Sequence, residues 1–236
     1  MTDQPNIENP ATEKIIDAEL SDRIASRLNT LRETLPPSVK LVAVSKYTSV
    51  AAMRAAYAAG IRDFGESRIQ EISQKQQELQ DLPDITWHMI GHLQSNKVKQ
   101  AISICDWIHS IDRLSLAQQC DRFIPELGRS PKLCLQVKLA NDPDKFGWEV
   151  EQLLTDLPAL QQCQNLNLVG LMTILPLGLD ETQAYQVFQD TAKLAEKLRS
   201  LGWSNITELS MGMSGDYAIA VKAGATLVRV GSRIFS

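Results

Sequence analysis

The sequence predicts an α/β fold: a single (β/α)8 TIM barrel with one extra helix in front of it. Eight short apolar stretches alternate with helical patterns along the 236 residues, and strands covered on both faces of a parallel sheet have this composition. No linker or low-complexity segment divides the chain. Eight units within about 200 residues favour a closed sheet, although alternation alone does not exclude an open doubly wound sheet.

The predicted elements follow one another closely. Residues 1–10 are polar and predict a disordered tail, and residues 11–236 form one predicted domain. Leucine and isoleucine recur at steps of three and four between residues 20 and 35, which is typical of an amphipathic helix, and two prolines at 36 and 37 end it. Strands are then predicted at 41–45, 61–65, 85–90, 106–111, 132–138, 166–172, 205–210 and 226–230, with helices at 50–59, 68–79, 95–104, 114–127, 149–157, 182–201 and 216–223.

Composition and charge exclude several classes of protein. The net charge of −4 gives no reason to expect a nucleic acid or an anionic membrane as a partner. Residues 1–10 lack the basic and apolar regions of a signal peptide, and no apolar stretch approaches the roughly 20 residues of a membrane span. Four cysteines without metal-like or redox-motif spacing predict reduced thiols and no metal site. We therefore expect a cytoplasmic protein.

One lysine stands where the first predicted strand ends. Residues 41–44 are apolar and rich in valine, and Lys46 follows them. Burial at that point lowers the pKa of an ammonium group, and a neutral amine reacts with aldehydes. Lys46 is therefore a candidate nucleophile, and a side chain that simply extends to water is the plainer alternative.

Small and hydroxyl-bearing residues follow the last two predicted strands. Ser210 ends the seventh predicted strand and Ser214 lies in the loop after it, and Gly231 and Ser232 follow the eighth strand. Barrels often bind phosphate in these two loops, where glycine allows close approach of the backbone and serine adds a donor. The pattern predicts a phosphate site, with a helix cap at Ser214 and an ordinary turn at Gly231 as the alternative.

Arg229 interrupts the apolar pattern of the eighth strand. A period of two places it on the face opposite Val228 and Val230. A buried guanidinium keeps its proton and needs an acceptor. A carboxylate, a phosphate and a ring nitrogen all meet this requirement, and an internal salt bridge is equally compatible with the pattern.

These segments together resemble the pyridoxal 5'-phosphate (PLP) homeostasis family, also known as YggS-like or proline synthase co-transcribed proteins. The resemblance implies the barrel of fold-type III PLP enzymes, similar to the N-terminal domain of alanine racemase. The matching motifs are Val42-Ala-Val-Ser-Lys46, Phe64-Gly-Glu-Ser-Arg68, Trp87-His-Met-Ile-Gly-His-Leu-Gln-Ser-Asn-Lys97, His109-Ser-Ile-Asp112, Gly170-Leu-Met172, Leu209-Ser-Met-Gly-Met-Ser214 and Val228-Arg-Val-Gly-Ser232.

The resemblance also implies a cofactor, PLP, and roles for individual residues. Lys46 would form a Schiff base with PLP. Arg229 would face the pyridine nitrogen of the cofactor. The phosphate group would be bound by Ser210, Ser214, Gly231 and Ser232.

Two further residues are expected near the cofactor. The family usually has asparagine where this chain has Ser67, so that contact is lost or bridged by water. His88 is either close to the cofactor ring or a hydrogen-bonded structural histidine. The pair His88 and His92 lacks the glutamate of a zinc-protease motif, so we expect no metal there.

The expected function is PLP binding without catalysis, in the intracellular homeostasis of PLP (vitamin B6) and of amino and keto acids. Arg229 should keep the ring nitrogen unprotonated, which disfavours transaminase chemistry. A racemase needs a second acid or base. In fold-type III racemases it comes from an added domain and a dimer partner, and we expect neither in a chain that stops at Ser236.

Two alternatives remain open: an amino-acid racemase or decarboxylase of low activity, and a PLP-dependent regulatory interaction module. The expected partners are PLP and either PLP-dependent apoenzymes or a regulatory protein, and we expect a monomer. The sequence identifies no particular recipient of the cofactor.

Overall fold

The chain forms a closed barrel of parallel strands, which confirms the predicted fold. A computed structural model describes residues 10–140, 142 and 145–236. Eight strands pair in the order β4-β3-β2-β1-β9-β8-β7-β5, and pairing of β4 with β5 closes the ring. A short strand, β6, extends the pairing of β5. The strands are β1 (Lys40–Val44), β2 (Asp63–Glu66), β3 (Thr86–Met89), β4 (Trp107–Ile111), β5 (Lys132–Lys138), β6 (Trp148–Glu149), β7 (Asn167–Met172), β8 (Glu208–Met213) and β9 (Leu227–Val230).

Helices cover the outside of the barrel. The first helix begins at Pro10, earlier than the leucine periodicity indicated, and the rest of the predicted tail, residues 1–9, lies outside the described residues. A short helix that the sequence did not predict follows β9. No described helix has both the length and the apolar character needed to cross a membrane. The helices are α1 (Pro10–Glu33), α2 (Val50–Ala58), α3 (Ile69–Glu78), a 3-10 turn (Ser95–Lys97), α4 (Val98–Ile104), α5 (Leu114–Leu127), α6 (Val150–Leu160), α7 (Glu181–Ser200), α8 (Tyr217–Lys222) and α9 (Ser232–Phe235).

Buried apolar residues pack in two separate clusters. The larger one lies between the strands and the helices, with Phe64, Ile72 and Phe188 among its fully buried side chains. The smaller one lies in the barrel lumen, because inward-facing side chains alternate with outward-facing ones along each strand. It draws one residue from each of five strands: Val42, Trp107, Cys134, Met172 and Leu227.

Strand β8 carries an extra residue that extends it toward the mouth of the barrel. Ser210 pairs with Leu227 and Met213 pairs with Arg229, so β8 has one more residue than β9 over this stretch. Gly212 has a φ of 92°, a conformation that favours glycine. The strand therefore runs to Met213, and the prediction that it ends at residue 210 is wrong.

Candidate functional site

Lys46 lies in a tight turn at the carboxyl end of β1. The Thr48 amide donates to the Ser45 carbonyl across this turn at 2.9 Å, and the Ser49 hydroxyl then caps α2. The side chain of Lys46 is exposed, which agrees with the plainer alternative of a side chain that extends to water. Within the described residues, no carboxylate forms an ion pair with it. Its amine is therefore accessible.

Tyr47 holds an unusual backbone conformation next to this lysine. Its φ is 61°, the left-handed region that side chains other than glycine seldom adopt. The residue is 81% exposed, and it lines two neighbouring cavities. Strained residues of this kind cluster at ligand sites, and Tyr47 stands between the two cavities at the barrel mouth.

Gly231 and Ser232 follow β9 and face the same turn. Strands β1 and β9 are neighbours, and a cavity of about 550 Å³ is lined by Lys46, Gly231 and Ser232 among other residues. A Cβ atom on Gly231 would lie 2.9 Å from the carbonyl oxygen of Val44, so only glycine fits there without displacement. The barrel thus brings together the first-strand lysine and the last-strand glycine, as closure requires.

Ser214 ties the loop after β8 to the start of α9. Its hydroxyl accepts from the Gly231 amide at 3.2 Å, and its carbonyl accepts from Nε of Arg233 at 2.6 Å. At the other side of the loop, the Asp216 carboxylate accepts from the Met213 amide at 2.5 Å. Helix α8 begins after Asp216, so the alternative of a helix cap at Ser214 is wrong.

Arg229 is buried in the lumen and is 3% exposed. One guanidinium nitrogen, Nη1, donates to the Ser210 carbonyl at 2.6 Å and to the Ser210 hydroxyl at 2.7 Å, and Nη2 donates to the Thr173 carbonyl at 3.0 Å. These acceptors are neutral, so the arrangement is not an internal salt bridge. Burial lowers the pKa of Arg229 to about 10, which leaves the side chain charged at neutral pH.

Polar side chains continue from Arg229 across the lumen. The Ser210 hydroxyl lies 2.7 Å from Nδ1 of His109, and Nε2 of His109 lies 2.9 Å from Nδ1 of His88. Nε2 of His88 lies 2.9 Å from Oδ1 of Asp63. We call these five residues, Arg229, Ser210, His109, His88 and Asp63, the lumen chain.

The lumen chain bears on two of the predicted site residues. Both ring nitrogens of the fully buried His88 are engaged by Asp63 and His109, which favours the structural alternative for this histidine. The Ser210 hydroxyl bonds to Arg229 and His109 inside the barrel, apart from the loop where Ser214 meets Gly231. Burial lowers the pKa of both histidines, and the lowering is large for His109.

Ser67 lines the second cavity at the mouth, which has a volume of about 470 Å³. Tyr47, His92 and Lys97 line it too. The His92 ring stacks on Phe146, with ring centroids 3.6 Å apart. Ser67 thus lies beside Tyr47, on the side of the mouth formed by the segments after β2 and β3.

A buried ion pair behind the lysine turn was missed in the sequence. Glu66 Oε1 accepts from Lys75 Nζ at 2.6 Å and from the Ser45 hydroxyl at 2.7 Å, and Lys75 also donates to the Ser45 carbonyl at 2.7 Å. Burial raises the pKa of Glu66, although Lys75 opposes this change. These bonds fix the residue that precedes Lys46. The Phe64-Gly-Glu-Ser-Arg68 motif contained the only signal for this contact.

Metal-ligating residues are not clustered in the part of the chain that the structure describes: no group of three or more histidine, cysteine, aspartate or glutamate side chains is arranged to hold an ion. The four cysteines are free thiols. Burial raises the pKa of Cys120 and Cys134 to about 12, which keeps both protonated and unreactive at neutral pH.

Comparison with known proteins identifies the family. The model of the alanine racemase N-terminal domain matches residues 21–236. The pyridoxal phosphate homeostasis protein of Synechocystis sp. is 49% identical over 202 residues, which cover 86% of this chain and 93% of that protein. This chain belongs to the pyridoxal phosphate homeostasis protein family. The resemblance found in the sequence motifs is therefore confirmed.

Solved structures support the same assignment. PipY of Synechococcus elongatus PCC7942, solved with PLP bound, matches with a TM-score of 0.87 and 52% identity over 90% of this chain and 100% of that chain. The same protein solved without PLP gives a TM-score of 0.88. An alanine racemase of Clostridium difficile matches with a TM-score of 0.74 at 16% identity, covering 90% of this chain and 59% of that chain. This last likeness shows the shared barrel alone.

Proposed function

We propose that this chain binds PLP through Lys46 and serves the intracellular homeostasis of vitamin B6 and of amino and keto acids. The observation that carries the proposal is the cavity of about 550 Å³ in which Lys46 meets Gly231 and Ser232. The PLP-bound PipY structure, 52% identical to this chain, gives the proposal its ligand.

The residues of the cavity suit both ends of the cofactor. When bound, PLP supplies an aldehyde that condenses reversibly with a primary amine, and Lys46 offers an exposed amine on a rigid turn. At the other end, Gly231 and Ser232 line the same cavity, where small residues would let a phosphate approach the backbone closely. The hydroxyls of Ser214 and Ser232 flank that backbone and would donate to the phosphate oxygens.

Arg229 is assigned to the ring nitrogen of the cofactor. Its three bonds to Ser210 and Thr173 use three of its five N–H groups, so donors remain for a ring nitrogen. A fixed cation at that position opposes protonation of the nitrogen, and the ring then withdraws electrons weakly. Ser210 and His88 are assigned to the support of Arg229, because their polar atoms already bond within the lumen chain.

The open mouth of the barrel favours binding of the cofactor without catalytic turnover of a substrate. Lys46 is exposed and Tyr47 is 81% exposed, whereas active sites for carbanion chemistry exclude water. A cofactor attached there remains accessible to solvent and to recipient proteins. We infer a monomeric cytoplasmic protein that exchanges PLP with apoenzymes.

The test is a titration of the protein with PLP, followed by absorbance. Wild type should develop the absorbance band of a PLP–lysine adduct, and so should Lys193→Ala, which removes another exposed lysine. Lys46→Ala should not develop it. An unchanged band in Lys46→Ala would refute the proposed attachment.

A second assay separates holding from catalysis. PLP-loaded wild type is incubated with L-alanine and, separately, with D-alanine, and the enantiomers are quantified. We expect no more racemisation than an equal concentration of free PLP produces. A clear excess over free PLP would instead support the racemase alternative.

A further inference from the structure

The lumen chain has one self-consistent direction of hydrogen bonding. The Asp63 carboxylate only accepts, so Nε2 of His88 carries the hydrogen of that bond. A neutral His88 then has a bare Nδ1, which accepts from Nε2 of His109. Nδ1 of His109 is bare in turn, and it accepts from the Ser210 hydroxyl at 2.7 Å.

The same direction of hydrogen bonding also gives Arg229, at the other end of the lumen chain, an acceptor. With its own hydrogen committed to His109, the Ser210 oxygen offers its lone pairs to Nη1 of Arg229 at 2.7 Å. The opposite tautomers would turn a bare His88 nitrogen toward the Asp63 carboxylate and leave the Ser210 hydrogen without an acceptor. His88, His109 and Ser210 are all fully buried, so an unpaired group here is costly.

We propose that Asp63 is a positioning residue for Arg229, acting through His88, His109 and Ser210. The proposal rests on the proposed function, because Arg229 acts there as the group that faces the ring nitrogen. Asp63 makes no contact with the cofactor in this assignment. Asp63 determines the tautomers of His88 and His109. These tautomers fix the direction of the Ser210 hydroxyl, and the hydroxyl orients the guanidinium of Arg229.

The location of Asp63 makes this role testable apart from the site itself. Asp63 begins β2, at the opposite end of the barrel from Lys46. It lines a separate cavity of about 620 Å³, where Lys40 Nζ lies 3.3 Å from the same carboxylate oxygen. A change at that end can reach Arg229 through the ordered hydrogen bonds of the lumen chain, which polarise one another in a low-dielectric interior.

The first experiment reads the tautomers directly in the full-length protein without PLP. Ring ¹⁵N shifts are measured at pH 7.5, and the third histidine, His92, is assigned with His92→Gln. We expect neutral His88 and His109, each with its hydrogen on Nε2. A hydrogen on Nδ1 of either ring, or a doubly protonated ring, would overturn the proposal.

The second experiment compares three variants at the amino-terminal end of the barrel. Asp63→Ala removes the acceptor and should give mixed tautomers, a shifted absorbance maximum of bound PLP, and an affinity for PLP weaker by on the order of tenfold. Asp63→Asn retains an acceptor oxygen and should keep the wild-type tautomers and spectrum. Asp84→Ala breaks the nearby pair with Arg62 and should change neither.

Wild-type tautomers and an unchanged PLP spectrum in Asp63→Ala would refute the positioning role. If Asp63→Ala does not fold, Ser210→Ala is measured in the same way, since it cuts the lumen chain at the other end. An unchanged spectrum there would count equally against the proposal.

The two proposals fail in different ways. If wild type does not attach PLP at Lys46, the proposed function is wrong. If wild type attaches PLP and Asp63→Ala behaves identically, only the role of Asp63 is wrong.

Discussion

Lys46 and Arg229 are the two cations on which the proposed function depends, and they belong to neighbouring parts of the barrel with opposite surroundings. Lys46 is exposed on a turn after β1. Arg229 is 3% exposed in β9 and donates three hydrogen bonds to Ser210 and Thr173. An amine that forms and breaks a bond has to be reachable, whereas a charge that tunes a ring has to be fixed. The barrel provides the first at its rim and the second in its lumen.

The largest expected effect is the loss of the buried cation. Arg229→Met should lower the free energy of unfolding by about 3 kcal/mol, because it removes three hydrogen bonds in the lumen. The Thr173 carbonyl and the Ser210 hydroxyl oxygen lose this donor, and the Ser210 carbonyl retains only the Thr173 amide. The measurement is urea denaturation without PLP. A loss below about 1 kcal/mol would show that the lumen does not depend on this residue.

The lumen should also make stability depend on pH. Burial lowers the pKa of His88 and His109, so the unfolded chain takes up protons first as pH falls through about 6.5. Stability is therefore full above that pH and decreases between about pH 7 and about pH 5.5, with the larger contribution expected from His109, whose pKa is lowered further. Asp63 and Lys40 face His88, and Arg229 faces His109.

This dependence is measured by urea denaturation at the two pH values. His92→Gln removes the half-exposed histidine and should retain the pH dependence of stability. The double variant His88→Gln, His109→Gln should lose most of this dependence. A flat profile in wild type would contradict the assignment of two neutral buried rings.

An intermediate effect on stability is expected at Gly231. Gly231→Ala should destabilise the protein by about 1–3 kcal/mol, because its Cβ would lie 2.9 Å from the Val44 carbonyl oxygen. Gly215→Ala is the matched control, since nothing lies within 4 Å of its added Cβ. Equal unfolding midpoints for the two variants would show that β1 and β9 move apart freely.

The smallest expected effect on stability is at Lys46. Lys46→Ala should change the free energy of unfolding by less than about 0.5 kcal/mol, as for other exposed surface residues. The difference between the stability losses of Lys46→Ala and Arg229→Met measures directly how the surroundings of the two cations differ. A large loss in Lys46→Ala would mean that this side chain has a structural role as well.

The sequence predicted the barrel well and its lumen poorly. Alternating apolar and helical segments placed every strand of the ring, since the pattern depends on local burial. The β8 bulge at Gly212 was missed because a single glycine does not distinguish a strand from a loop. The partners of Arg229, which are Ser210 and Thr173, were also missed, because residues of different strands meet only when the sheet closes around the lumen.

Which individual side chains are buried could likewise not be predicted from the sequence. A residue just after a strand can point into the barrel or out to solvent. Here the backbone turn at Tyr47 leaves Lys46 exposed. The motifs named the residues expected around the cofactor, and family membership is now established.

The central claim is tested most directly by trapping the bound cofactor. Wild-type protein is incubated with PLP, reduced with borohydride, digested and mapped by mass spectrometry. The account predicts one dominant modified peptide, with the added mass on Lys46. A label spread evenly over the exposed lysines, or its absence from Lys46, would contradict the account.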